Sequence, residues 1–84
     1  MDLLEFPIPL PLRATPRGID IVARRGALWR IARSDGVVLG YVERVDDEGG
    51  ARYRSKRMVA RSAGFAVIGD FGAPDDAVDA LRHA

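Results

Sequence analysis

With 84 residues, of which 48% are hydrophobic and 30% charged, and a formal net charge of +1, the chain has the composition of one small globular domain rather than of a disordered chain. The absence of cysteine excludes disulfides and cysteine-ligated metal sites, and it favours a reducing, cytoplasmic location. Neither a basic N-terminal segment nor a long apolar stretch is present, so we expect no signal peptide and no membrane association.

Residues 1–18 form the first predicted element, a proline-rich arm in which apolar side chains alternate with prolines. In an extended chain alternate N–H groups point to opposite edges, so these prolines block strand pairing on one edge only. The segment is therefore either an edge strand or a polyproline-like arm, and it should pack on its own subunit. Its apolar residues are Phe6, Ile8, Leu10 and Leu12. We expect the protein to be a monomer.

Residues 19–84 are predicted to form a single domain that contains an antiparallel β-sheet of four to five strands. Apolar and polar side chains alternate in the first, second and fourth strand segments, whereas the third is apolar on both faces, as is typical of a central strand. Asp35 and Gly36 supply the positive φ angles of a tight hairpin turn. The predicted strands are residues 19–24, 27–33, 37–45, 51–58 and 65–68.

Residues 74–84 predict an amphipathic helix packed on this sheet. Pro74 suits the first helical turn, and the acidic residues after it complement the positive end of the helix dipole. Ala77, Val78 and Leu81 form an apolar stripe at helical spacing. The predicted fold class is therefore α+β, an antiparallel sheet packed on one C-terminal helix. The core should contain the aromatic residues Trp29, Tyr41, Tyr53, Phe65 and Phe71.

The residues that catalysis or metal binding requires are poorly placed. The only histidine, His83, stands at the end of the predicted helix, where no catalytic triad can be assembled. Asp46, Asp47 and Glu48 are consecutive, so they lack the alternating spacing of a calcium loop. The glycines are scattered and form no phosphate-binding motif. We expect no enzyme activity, no catalytic or metal-binding residues and no cofactor.

Basic side chains are concentrated in the middle of the chain. Residues 24–61 hold ten basic and five acidic side chains, whereas residues 62–84 hold one and four. If Trp29 and Tyr53 point into the core, alternation puts six cations on the opposite face of the sheet. These are Arg24, Arg30, Arg44, Arg52, Arg54 and Lys56. Such a face could bind phosphates in the major groove of DNA, or it could be a solvated face that discourages association of sheet edges.

The junction between the last strand and the helix, residues 68–81, reads Ile-Gly-Asp-Phe-Gly-Ala-Pro-Asp-Asp-Ala-Val-Asp-Ala-Leu. This run resembles the same junction in the plant ethylene-response-factor DNA-binding domain and in the arm-binding domains of phage and transposon integrases. Residues 29–31 resemble the tryptophan-centred strand of that family, and residues 52–57 resemble its basic strand. The resemblance implies a three-stranded sheet, supported by one helix, that enters the major groove. The contact residues that it implies are Arg30, Arg52, Arg54 and Lys56.

Two features of this chain depart from the family pattern. About forty residues separate Trp29 from the junction, which requires an extra hairpin. Ala73 stands where the family has a Ser or Thr cap, a difference that costs about 1 kcal/mol. The sequence predicts a small bacterial, phage or mobile-element domain that binds duplex DNA. The alternative is a protein–protein interaction module, such as a phage or bacterial adaptor or inhibitor, with no nucleic-acid role.

Overall fold

The computed structural model describes residues 8–59 and 64–84 and shows one antiparallel sheet with one helix. The elements are β1 (Ile19–Arg24), β2 (Leu28–Arg33), β3 (Val38–Asp47), β4 (Gly50–Val59), β5 (Gly64–Phe71) and α1 (Pro74–Arg82). Each strand pairs with the next along the chain, so the order across the sheet is β1-β2-β3-β4-β5. The predicted α+β fold class is confirmed, and a hairpin of β1 and β2 precedes the three C-terminal strands.

The first two hairpin turns follow from glycine and aspartate. Gly26 and Gly36 have φ angles of 72° and 95°, a region that residues with side chains rarely occupy. Between β2 and β3, the amide of Gly36 donates to the Arg33 carbonyl at 2.9 Å. The Asp35 carboxylate accepts a hydrogen bond from the Val37 amide at 3.0 Å, and this bond lowers the pKa of Asp35. These turns fix the register of the first three strands.

The core lies on one face of the sheet, called here the helix side. Its buried apolar residues are Leu10, Ile19, Trp29, Ile31, Val42, Tyr53, Ala77, Val78 and Leu81. Ser55 is also fully buried, and its hydroxyl donates to the Ala77 carbonyl at 2.7 Å. Gly40 admits the helix, because a Cβ there would lie 2.7 Å from Leu81 Cδ2 and closer still to the Lys56 carbonyl oxygen. The predicted apolar stripe of α1 is therefore the part that packs on the sheet.

Helix α1 begins without a side-chain cap at Ala73, as the sequence predicts, and Pro74 occupies the first turn. Asp75 and Asp76 follow in that turn, where their charge complements the helix dipole. The helix ends at Arg82, so His83 lies just beyond it. In the part of the chain that the structure describes, no helix is long and apolar enough to cross a membrane.

The helix side of the sheet is wider than one helix. Five strands about 4.8 Å apart span roughly 19 Å, whereas a helix is about 10 Å across. Helix α1 packs on β3, β4 and β5, and the arm covers the neighbouring strands. Leu10 of the arm is only 8% exposed, and the Trp29 indole N–H donates to the Ile8 carbonyl at 2.6 Å. The arm and the helix therefore cover the core together.

Residues 8–12 contain no strand, so the edge-strand alternative is wrong for this part of the arm. Instead the Leu12 amide donates to the Leu10 carbonyl at 2.8 Å, which bends the chain at Pro11. The Arg13 amide then donates to the Asp75 carboxylate at 3.0 Å, which links the arm to the first turn of α1. Phe6, the first predicted apolar residue of the arm, lies outside the described residues.

Two aromatic residues predicted to be in the core lie on the opposite face of the sheet, called here the outer face. Tyr41 is paired across β3 and β4 with Lys56, and Phe65 is 52% exposed. Phe65 lies on the outer face because β5 has a bulge at Ile68, where the register between β4 and β5 shifts. A bulge reverses the alternation, so Phe71 points to the core and Phe65 points away from it.

Candidate nucleic-acid interface

The outer face carries two rows of side chains that run across all five strands. The first row consists of Val22, Arg30, Tyr41, Lys56 and Val67, in strand order. The second row consists of Arg24, Leu28, Glu43, Arg54 and Asp70. Side chains opposite one another on adjacent strands have Cβ atoms about 5 Å apart, so each row is a line of neighbours. The face therefore mixes cations with apolar and acidic groups.

Five of the six predicted cations lie on this face, and Arg44 does not. Arg44 is paired with Tyr53, so it points to the helix side, in a cleft shared with Trp29 and Ile8. Its guanidinium contacts the Asp46 carboxylate at 3.2 Å. The prediction failed because β3 is apolar on both faces, so only the burial of Val42 reveals which way each residue of this strand points.

Arg54 and Lys56 are neutralised by acidic partners on the same face. Arg54 makes a bidentate contact with Asp70, with nitrogen–oxygen distances of 2.8 Å and 3.0 Å. This pairing lowers the pKa of Asp70 and raises the pKa of Arg54. Lys56 Nζ lies 2.8 Å from a carboxylate oxygen of Glu43. The outer face is therefore less basic than the sequence indicated, because Glu43 and Asp70 belong to it too.

Arg24, Arg30 and Arg52 have no carboxylate partner within residues 8–59 and 64–84. Among the described residues, Arg52 donates one long hydrogen bond of 3.4 Å, to the backbone carbonyl of Asp70, and its charge contributes to lowering the pKa of Asp70. Arg24 and Arg52 are exposed, and Arg30 is half-buried beside Tyr41. Within the part of the chain that the structure describes, no ion pair of these three guanidinium groups has to be broken before an anion can bind.

An aromatic pair, which the sequence interpretation placed in the core, lies among these cations. The rings of Tyr41 and Phe65 are 5.5 Å apart and nearly perpendicular, at 89°. They line an open cleft of about 290 Å³ together with Arg24 and Lys56. In the sequence, Gly69 could have indicated that Phe65 points away from the core, because a glycine inside a strand often marks a bulge. The bulge beside Gly69 reverses the alternation of faces along β5.

The other candidate groups make local contacts. His83 is exposed, and its Nδ1 lies 2.9 Å from the Asp79 carbonyl oxygen. Asp47 accepts a hydrogen bond from the Gly49 amide at 2.8 Å and so stabilises the turn between β3 and β4. Among the described residues, no three or more His, Asp or Glu side chains are grouped so that they could hold a metal ion.

Comparisons of the chain with known protein families, with curated proteins and with solved structures find no match. The chemistry of the outer face is therefore the main guide to what the protein binds.

Proposed function

We propose that this domain binds nucleic acid through its outer face, with Arg24, Arg30 and Arg52 contacting phosphates. The observation that carries the proposal is that these three guanidinium groups share one sheet face and lack carboxylate partners among the described residues. Guanidinium is planar and presents paired N–H donors, which suit the oxygens of a phosphate. Phosphate contacts supply most of the affinity of a protein for a nucleic-acid backbone.

The helix that covers one side of the sheet is acidic, which favours approach of a polyanion to the other side. Helix α1 carries Asp75, Asp76 and Asp79 on the helix side, against a single basic residue, Arg82. An acidic helix repels a phosphate backbone, whereas the outer face attracts it, so approach to the outer face is favoured.

The family resemblance makes duplex DNA the expected form of the ligand. A ribbon of β-strands fits the major groove, where arginine can reach both phosphates and guanine edges. Arg54 and Lys56, which the resemblance also implies as contacts, would have to exchange Asp70 and Glu43 for phosphate oxygens. Arg24, Arg30 and Arg52, which have no carboxylate partner among the residues that the structure describes, are therefore the better targets for mutation.

The test replaces Arg24 and Arg30 together by glutamine and measures binding to a random duplex by fluorescence anisotropy, between 50 and 200 mM salt. The matched control is Arg44→Gln with Arg82→Gln, which removes the same charge from the helix side. Loss of two phosphate contacts should weaken binding at least roughly tenfold and lower the salt slope by about 2. The control should bind nearly as the wild type does. Equal losses in both variants would overturn the proposed interface.

Protein binding is the second candidate, and a different observation favours it. Met58, Phe65 and Val67 lie together on the outer face and are 57%, 52% and 58% exposed. An apolar centre with a cationic rim is also the anatomy of a protein interface. Wild-type protein that shows no salt-dependent binding to any nucleic acid would exclude the first function and favour this one.

A further inference from the structure

We infer that the outer face binds single-stranded nucleic acid, with Tyr41 and Phe65 stacking on unpaired bases. This inference rests on the proposed function, nucleic-acid binding through the outer face, and it replaces the duplex that the resemblance implies by a single strand as the more tightly bound ligand. A duplex presents phosphates to a basic face, but its base faces are covered by neighbouring base pairs. A single strand presents both phosphates and bases, so an aromatic pair among cations adds affinity only for the single strand.

The first argument is the exposure of the aromatic pair. Phe65 is 52% exposed on a strand whose register is set by a bulge, so its ring is held on the outer face by the pairing of β4 and β5. Tyr41 supports it edge to face at 5.5 Å, which orders the Phe65 side chain before any ligand binds. An ordered, half-exposed ring is a ready surface for base stacking.

The second argument is the position of the cations around this pair. Arg30 and Lys56 are the cross-strand neighbours of Tyr41 on its two sides. Arg24 lines the same cleft as both rings, and so does Glu43, the ion-pair partner of Lys56. A strand laid across the sheet would place a base on the rings while its flanking phosphates meet guanidinium groups. Stacking needs no particular base, so we expect little sequence preference.

The experiment measures the affinity of wild-type protein and of Phe65→Leu for oligonucleotides of equal length. These are a 12-mer of thymidine, a 12-mer of uridine, an abasic 12-mer with the same phosphates, and a duplex. Wild type should bind the single strands more tightly than the duplex or the abasic strand. Leucine keeps an apolar side chain but has no ring, so Phe65→Leu should weaken binding to thymidine or uridine about 5- to 100-fold and leave abasic binding unchanged. The thymidine and uridine arms separate DNA from RNA, which share this chemistry.

Ile8→Ala is the matched control, because Ile8 is an apolar residue about as exposed as Phe65, at 51%, and lies on the helix side in the cleft with Arg44. It should bind the thymidine 12-mer nearly as the wild type does. Phe65→Trp keeps a stacking ring and should retain affinity, with its fluorescence quenched by the thymidine strand and not by the abasic strand. Thermal unfolding of all variants checks that they are folded.

The outcomes separate this inference from the function on which it rests. Tight duplex binding that Phe65→Leu does not change would overturn the stacking inference and leave nucleic-acid binding intact. Equal losses for the thymidine and abasic strands, or for Phe65→Leu and Ile8→Ala, would also overturn it. No binding of wild type to any of the four oligonucleotides would overturn the inference together with the proposed function.

Discussion

At the scale of single residues, the charge of the outer face is set by its acidic members as much as by its basic ones. Asp70 holds Arg54 in a bidentate pair, and both side chains are about one third exposed. A pair in such a position adds little to stability, because water screens it. Its larger effect is on function, since it keeps one guanidinium occupied and adds a negative charge where phosphates would bind.

Asp70→Asn should therefore tighten nucleic-acid binding by about 2- to 5-fold at low salt, because it frees Arg54 and removes a repulsive charge. Asp46→Asn, which frees Arg44 on the helix side, is the control and should have no such effect.

Asp70→Asn also tests how the lowered pKa of Asp70 makes the stability of the fold depend on pH. That pKa is lower in the folded state, so the pair stabilises the fold above about pH 4 and loses this contribution as the pH falls through the folded pKa. In urea titrations, wild type should lose more stability than Asp70→Asn below pH 4.

At the scale of elements, the contact of α1 with the sheet depends on a glycine in β3. Gly40→Ala would place a Cβ against Leu81 and the Lys56 carbonyl, so either the helix or β4 must move. We expect a loss of about 1–3 kcal/mol in the free energy of unfolding, measured by urea denaturation. Gly72→Ala is the control, since no atom of the described residues, apart from the two chain neighbours of Gly72, lies within 4 Å of a Cβ there. A loss below about 0.5 kcal/mol for Gly40→Ala would mean that α1 does not pack closely on β3.

The elements also show how much of the fold the sequence predicts. The first strand has the predicted bounds, and the helix starts at the predicted Pro74, because alternation and helix-start signals are local. The face of Arg44 could not be predicted, because β3 carries apolar residues on both faces and shows no regular polar–apolar alternation. Phe65 was misplaced for a different reason, a bulge formed only when β5 pairs with β4.

The candidate site was therefore predicted in part. Its cations on β1, β2 and β4 follow from alternation in those strands. Its acidic partners and its aromatic pair depend on the faces of β3 and β5, which tertiary packing decides. A sequence that is apolar on both faces of a strand carries no local signal for this choice.

At the scale of the whole molecule, two segments, the arm and α1, cover the core. They contact each other through the hydrogen bond from the Arg13 amide to the Asp75 carboxylate. In the part of the arm that the structure describes, Leu10 is the one buried residue, whereas Ile8 is 51% exposed. Leu10→Ala should lower the free energy of unfolding by about 2–5 kcal/mol, measured by urea denaturation, because it opens the space over β1 and β2. Ile8→Ala should change it by less than about 0.5 kcal/mol. A similar small effect at Leu10 would show that the arm does not cover the core.

The strand order has a consequence for how the chain reaches this structure. Because every strand pairs with its neighbour in sequence, the first three strand pairings each close a loop of only two to four residues, at 25–27, 34–37 and 48–49. Short closures have a low entropic cost and favour fast folding. The contact between Arg13 and Asp75 instead joins residues 62 positions apart. Most of the entropic cost of loop closure in this fold is therefore incurred when the arm docks against α1. The five-stranded sheet itself can form one hairpin at a time.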